Sequence, residues 1–160
     1  MRVSLSHRII SALAALFFIV AHPAFAQQPM KFGKEPLIIL TASGKPLNFT
    51  VEVADTNELR QRGLMYRTEM ADDAGMIFDF GSPRRVQMWM ENTVLPLDML
   101  FVDSTGTIRG IKENAVPYSR DIIDSVIEVK YVIELNAGAT AKLGIKPGDK
   151  VMSATTTKKK

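Results

Sequence analysis

Apolar and polar residues alternate with a period of two in several short stretches of this chain, the signature of half-buried strands. Residues 37–40 are an apolar run followed by the turn residues Ser43, Gly44, Lys45 and Pro46. Phe49, Val51 and Val53 then alternate with Thr50, Glu52 and Ala54. Two such runs around a turn predict a hairpin. Asp55 or Thr56 can cap a short helix over residues 57–65, with Glu58 complementing its N-terminal turn and Gly63 weakening its end. After a polar turn at Asp72 and Asp73, strands are expected over residues 75–80 and 85–90, with "GSPRR" as a turn between them. Leu97–Val102 is a strand with two apolar faces: Asp98, Leu100 and Val102 share one, and Leu97, Met99 and Phe101 the other.

"DSTG" at 103–106 reads as a tight turn into a strand at 107–112, and residues 117–124 as a polar loop. In the strand expected at 126–135, alternation puts Ile127, Val129, Tyr131, Ile133 and Leu135 on the core face. Val126, Glu128, Lys130, Val132 and Glu134 take the other. Residues 136–143 fit a short helix ended by Gly144, and "KPGDKVM" a turn with a closing strand. There is no internal repeat. The pattern predicts an α+β, mainly β domain: a compact barrel or sandwich of short, mostly antiparallel strands with one or two short helices.

The first 26 residues follow another pattern. Arg2 and Arg8 flank the start of an apolar stretch, "IISALAALFFIV" at 9–20, and "AFA" at 24–26 completes a signal-peptide arrangement. That stretch is shorter than the ~20 residues of a stable membrane span. The expectation is a periplasmic or secreted protein cleaved after Ala26, touching membrane only through an uncleaved signal segment. No cysteine follows Ala26 to carry a lipid. Residues 27–36 then read as a linker, 37–153 as a single domain and 154–160 as a disordered tail.

This division changes the chemistry. Both histidines, His7 and His22, fall in the signal, and the chain has no cysteine. The mature protein is therefore without a Ser-His-Asp triad, a Cys-His pair, a His/Cys zinc cage or His-ligated haem. It also lacks disulfides, so its stability rests on its core. Without Arg2 and Arg8 there are 18 basic residues against 17 acidic ones, and three of the basic ones are Lys158, Lys159 and Lys160. The basic balance thus sits at the chain ends, and no nucleic-acid partner is expected, since that would need a basic face on the domain.

Asp98 stands inside the apolar stretch "VQMWMENTVLPLDMLFVD". A buried carboxylate must find donors or change its pKa. Asn92, Thr93 and an arginine among Arg60, Arg62 and Arg67 are the nearby candidates. The structural reading, favoured on sequence, has Asp98 bonding the amides of the 92–96 loop. The three arginines suit carboxylate or phosphate recognition, though a solvated helix face with local ion pairs is the favoured reading. Met65, Met76, Met88, Met90 and Met99 raise the question of Cu(I), but they form no Met-x-x-Met array and are ordinary core fillers. Trp89 is expected in the core or as a pocket wall. No P-loop, dinucleotide fingerprint, nucleophile elbow or calcium loop occurs. No metal or cofactor is expected.

"RQRGLMYR" at 60–67, "GMIFDF" at 75–80, "WMENTVLPLDMLFVD" at 89–103 and "VIELNAGATAKLGIKPGD" at 132–149 resemble the domain of unknown function 192 family over nearly all of the mature chain. The resemblance implies a small exported or membrane-tethered protein with a compact, mainly β fold, and no established activity. Its motif positions here are Arg60, Gly63, Leu64, Met65, Gly75, Met76, Trp89, Met90, Asn92, Thr93, Pro96, Asp98, Glu134, Gly138, Gly148 and Asp149; Glu91 departs from the usual basic or small residue. The leading expectation is a small-ligand binding module of the envelope, with a cleft near Trp89, Asn92 and Asp98. Its candidate contacts are Arg60, Met65, Met76, Trp89, Asn92, Thr93, Asp98 and Glu134. The alternatives are a structural or assembly protein of the envelope, for which the partner is another envelope protein, and a hydrolase or lyase using Asp98 and Glu134 as acid and base.

Overall fold

The strand pattern resolves into one sheet of seven strands. In the computed structural model, which describes residues 30–158, they are β1 (Gly33–Leu40), β2 (Pro46–Ala54), β3 (Ala74–Met88), β4 (Leu97–Val102), β5 (Ile108–Ala115), β6 (Ile123–Asn136) and β7 (Lys150–Ser153). Their order is β5-β4-β6-β3-β2-β1-β7. Every neighbouring pair is antiparallel except β2 and β3, which run parallel. A parallel pair needs a crossover, and α1 (Asn57–Arg62) lies in it. The sheet curls into a half-barrel until its ends meet: Thr107 bridges Lys150, and the Ile108 amide donates to the Asp149 carbonyl at 2.9 Å. The mainly β, α+β expectation is thus met. The signal-peptide expectation lies outside the described residues.

Both faces of the sheet are covered. One carries Leu37, Ile39, Ile77, Leu100, Tyr131 and Ile133; the other carries Met76, Phe78, Leu97, Met99, Phe101 and Val132. The two faces assigned to β4 are therefore correct residue by residue.

Several boundaries differ. Gly33–Pro36, expected in the linker, pair with Val53–Thr50 in β1 and β2. Residues 154–157, expected in the disordered tail, form the short helix α3 (Ala154–Thr157), closed by a capping box between Ser153 and Thr156. "GSPRR" is not a turn. The chain runs on through β3, and the register with β6 slips between Asp79 and Arg84, which accommodates Pro83, a residue with no N–H for the ladder. The strand expected to reach Met90 stops at Met88, while Ile123 and Asp124, expected in a loop, belong to β6. The second helix, α2 (Ala139–Leu143), ends at Gly144 as expected but starts three residues late.

The largest difference concerns β6. Simple alternation put Glu134 on an outward face, yet it is 4% exposed. β6 lies between β3 and β4, and its second face is covered too.

Gly75 makes the β3–β6 approach possible. A methyl group there would sit 2.6 Å from the Glu134 carbonyl oxygen and 2.8 Å from a Leu135 methyl. Gly75→Ala is expected to destabilise the protein by about 2 kcal/mol, as overpacking does. The urea midpoint at unchanged m-value measures it; an unchanged midpoint would mean the strands shift apart freely.

Candidate functional site

Asp98 is fully buried near the start of β4. Its side chain points to the face of Leu100 and Leu135 and is satisfied from two distant segments. The Asn114 amide donates to one oxygen at 2.9 Å. The Thr140 amide and hydroxyl donate to the other at 3.0 and 2.6 Å. Burial pushes its pKa up, but these bonds outweigh burial and leave it below the ordinary carboxylate value. Asn92, Thr93 and the arginines take no part. The structural reading of Asp98 is right in kind but its partners are corrected: it ties the end of β5 and the start of α2 to β4 and does not bond the 92–96 loop.

A cleft of about 200 Å³ opens on the other face, between α1 and the end of β3. Leu64 and Met65 wall it from the segment after α1, and Phe78, Phe80, Met88 and Trp89 from β3 and its exit. Gly63 caps α1 at φ +46°, and a methyl group there would come within 3.2 Å of the Phe78 ring, so glycine keeps this wall closed. Trp89 is 46% exposed, a wall rather than core. Arg60, Arg62, Gln87 and Thr93 supply polar lining.

Glu134 also lines this cleft. It is flanked in register by Met76 on β3 and Met99 on β4. Burial pushes its pKa up to about 8, and among the described residues no hydrogen bond or positive charge brings it down. Although buried, it is one of the residues that form the cleft wall. An acid that is neutral at neutral pH thus meets whatever enters.

Arg60 works at home. It donates to the backbone carbonyls of Asp55 at 2.7 Å and Asp79 at 2.5 Å and to Asn57 Oδ1 at 2.5 Å, and it lies over the Phe80 ring. It pins α1 to β3 and shapes the cleft. The Arg62 guanidinium lies 4.7 Å from the Tyr66 ring centre.

The Glu91-Asn92-Thr93 knot is also accounted for. Asn92 adopts φ +57°, and its carbonyl accepts the Tyr66 amide at 2.9 Å. The Thr93 carbonyl accepts the Tyr118 amide at 3.1 Å, and Glu91 pairs with Arg120 at 2.7 Å. The knot joins three loops.

Of the eight expected contacts, Arg60, Met65, Trp89, Thr93 and Glu134 meet at the cleft. Met76 lies in the core beside Glu134, Asn92 stands behind Met65, and Asp98 is on the opposite face. Phe78, Phe80, Leu64 and Met88 were not anticipated. Met76, Phe78 and Phe80 follow one another at period two, so the choice of Met76 already pointed to the other two.

Comparison with known proteins gives a consistent picture. The family model DUF192, described as "Uncharacterized ACR", matches residues 38–153. A crystal structure of a proposed transcription regulator from Sinorhizobium meliloti 1021 is 54% identical, with TM-score 0.78 over 79% of this chain and 98% of its own. A protein of unknown function from Novosphingobium aromaticivorans DSM 12444 is 42% identical, with TM-score 0.70 over 73% of this chain and 83% of its own. A search of curated proteins returned no match.

Proposed function

Since the chain belongs to the DUF192 family, whose role is not established, we propose that it is a small-ligand binding module of the cell envelope with the cleft beside α1 as its site. One observation carries this reading: Glu134, buried and without a hydrogen-bond donor among the described residues, lines a mostly apolar cleft. A few polar groups in an apolar concavity are the usual form of a ligand site. At about 200 Å³ the cleft is below the ~300–1,000 Å³ of drug-sized pockets, so its ligand is a small metabolite. The envelope location rests on the signal-like pattern of residues 1–26.

The charges support a role without nucleic acid. Arg67, Arg85, Arg109 and Arg120 stand beside Glu52, Asp124, Asp103 and Glu91 respectively. The acid–base reading lacks its pair, because Asp98 and Glu134 point to opposite faces of the sheet.

Trp89 is the chain's single tryptophan and lines the cleft. Fragments of up to about ten non-hydrogen atoms are expected to change its emission at millimolar concentration. They should also shift the backbone amide resonances of Gly63, Leu64, Phe78 and Met88. Binders whose shifts gather elsewhere, or no binder at all, would overturn the reading.

A further inference from the structure

We infer that the ligand of this cleft is a small organic amine, held with its ammonium against the Glu134 carboxyl and its apolar body against Trp89, Met88 and Met65. The inference rests on the cleft being a ligand site and adds the chemistry of the ligand.

The argument starts from what Glu134 lacks. Met76 and Met99 flank it, and Phe78 lines the same cleft; none of them titrates or donates. Gln87 and Thr93 line the cleft as well, but the Thr93 hydroxyl donates to the Glu91 carbonyl. Among the described residues, the charged side chains lining the cleft besides Glu134 are Arg60 and Arg62 of α1. Arg60 is spent on two carbonyls and Asn57, and Arg62 lies over Tyr66. Neither contributes to the titration of Glu134, which burial alone governs. Among the described residues nothing offers the ionised carboxyl a donor or a positive charge, so it keeps its proton until a ligand supplies them. A buried charge is stable when paired and hydrogen-bonded, and an ammonium supplies three donors and the charge in one group.

The other ligand classes fit less well. An anionic head would find a single donor in the protonated Glu134 carboxyl, and it would be repelled once that carboxyl ionises. An alcohol offers one donor and no charge. Aromatic walls favour a cation further, since a ring attracts positive charge over its face. Phe80 already has Arg60 and Arg84 over its ring, so that contribution falls to Trp89 and Phe78.

Protonation gives the inference its own signature. Free Glu134 holds a proton at neutral pH, while an ammonium needs it ionised. Binding below about pH 8 must then release one proton from the carboxyl to solvent, and affinity must rise up to tenfold per pH unit on approach to pH 8.

The test uses three probes of one shape, benzylamine, benzyl alcohol and benzoate, titrated calorimetrically into the wild type and Glu134→Gln. Benzylamine is expected to bind at least tenfold more tightly than benzyl alcohol at pH 8. In buffers of different ionisation enthalpy it should release one proton at pH 6.5. Glu134→Gln should lose at least tenfold for the amine and little for the alcohol. The proton count is read on the wild type and does not depend on the variant folding. Equal binding of amine and alcohol, with no proton released, would overturn the amine inference and leave the cleft standing. Binding by none of the three up to about 10 mM would overturn both.

Discussion

Glu134→Gln is expected to abolish the pH dependence of stability between pH 5 and 8 and to be more stable than the wild type at pH 9. The sign follows from proton counts. The folded carboxyl holds its proton up to about pH 8, whereas in the unfolded chain it ionises at the ordinary glutamate value of 4.5. Between those values the folded state binds more protons, so stability falls as pH rises. The contribution is fully present below pH 4.5 and lost above 8. At ~1.4 kcal/mol per pKa unit the ceiling is about 4–5 kcal/mol; water entering the cleft would reduce it. Glutamine mimics the neutral acid and cannot ionise. Urea midpoints at pH 5, 7 and 9 make the comparison. Parallel curves for the two proteins would mean that Glu134 titrates as an ordinary surface acid.

Asp98→Ala is expected to cost about 4 kcal/mol, lowering Tm by roughly 15 °C for a domain of this size. The substitution leaves the Asn114 and Thr140 amides and the Thr140 hydroxyl facing an apolar methyl. Each buried unpaired donor costs about 1–3 kcal/mol. The pH effect is opposite to that of Glu134. Because the folded pKa of Asp98 is lowered, its stabilisation is present above the unfolded value and lost as pH falls through the folded one. Thermal unfolding at pH 7 and at pH 3 should show the gap between wild type and variant narrowing in acid. A loss below 1 kcal/mol at pH 7 would mean that β5 and α2 hold to β4 without the carboxylate.

These two acids also show what a sequence discloses. The burial of Asp98 was legible because Leu97–Val102 is apolar on both faces. Its partners were not, since Asn114 and Thr140 lie 16 and 42 positions away and nothing local links them. Glu134 was legible as a candidate but not as a buried group. Period two assigns residues to faces but does not say whether the second face is covered, and in β6 it is. The alternation also breaks along β6: Val126 adopts φ +63°, and Val129 packs with Val132 on one face while Tyr131 joins the other. Pro83 misled in the opposite direction, as a turn residue by composition that the irregular part of β3 absorbs. The short helices were found through Thr56 and Gly144, which act within a few residues of their own positions.

The pairing of the first strand with the last has a consequence in time. β1 completes its outer edge only with β7, and the contact between Glu35 and the Thr155 amide spans 120 positions. Contacts of such separation require loop closure before they return any stabilisation, and chains built on them fold in milliseconds to seconds rather than microseconds. While the C-terminal residues are still being synthesised or are held elsewhere, β1 keeps a row of unpaired amides and carbonyls at Leu37–Leu40, a template for another chain. The hazard of aggregation therefore belongs to the interval before the last strand docks, and the finished molecule has closed that edge.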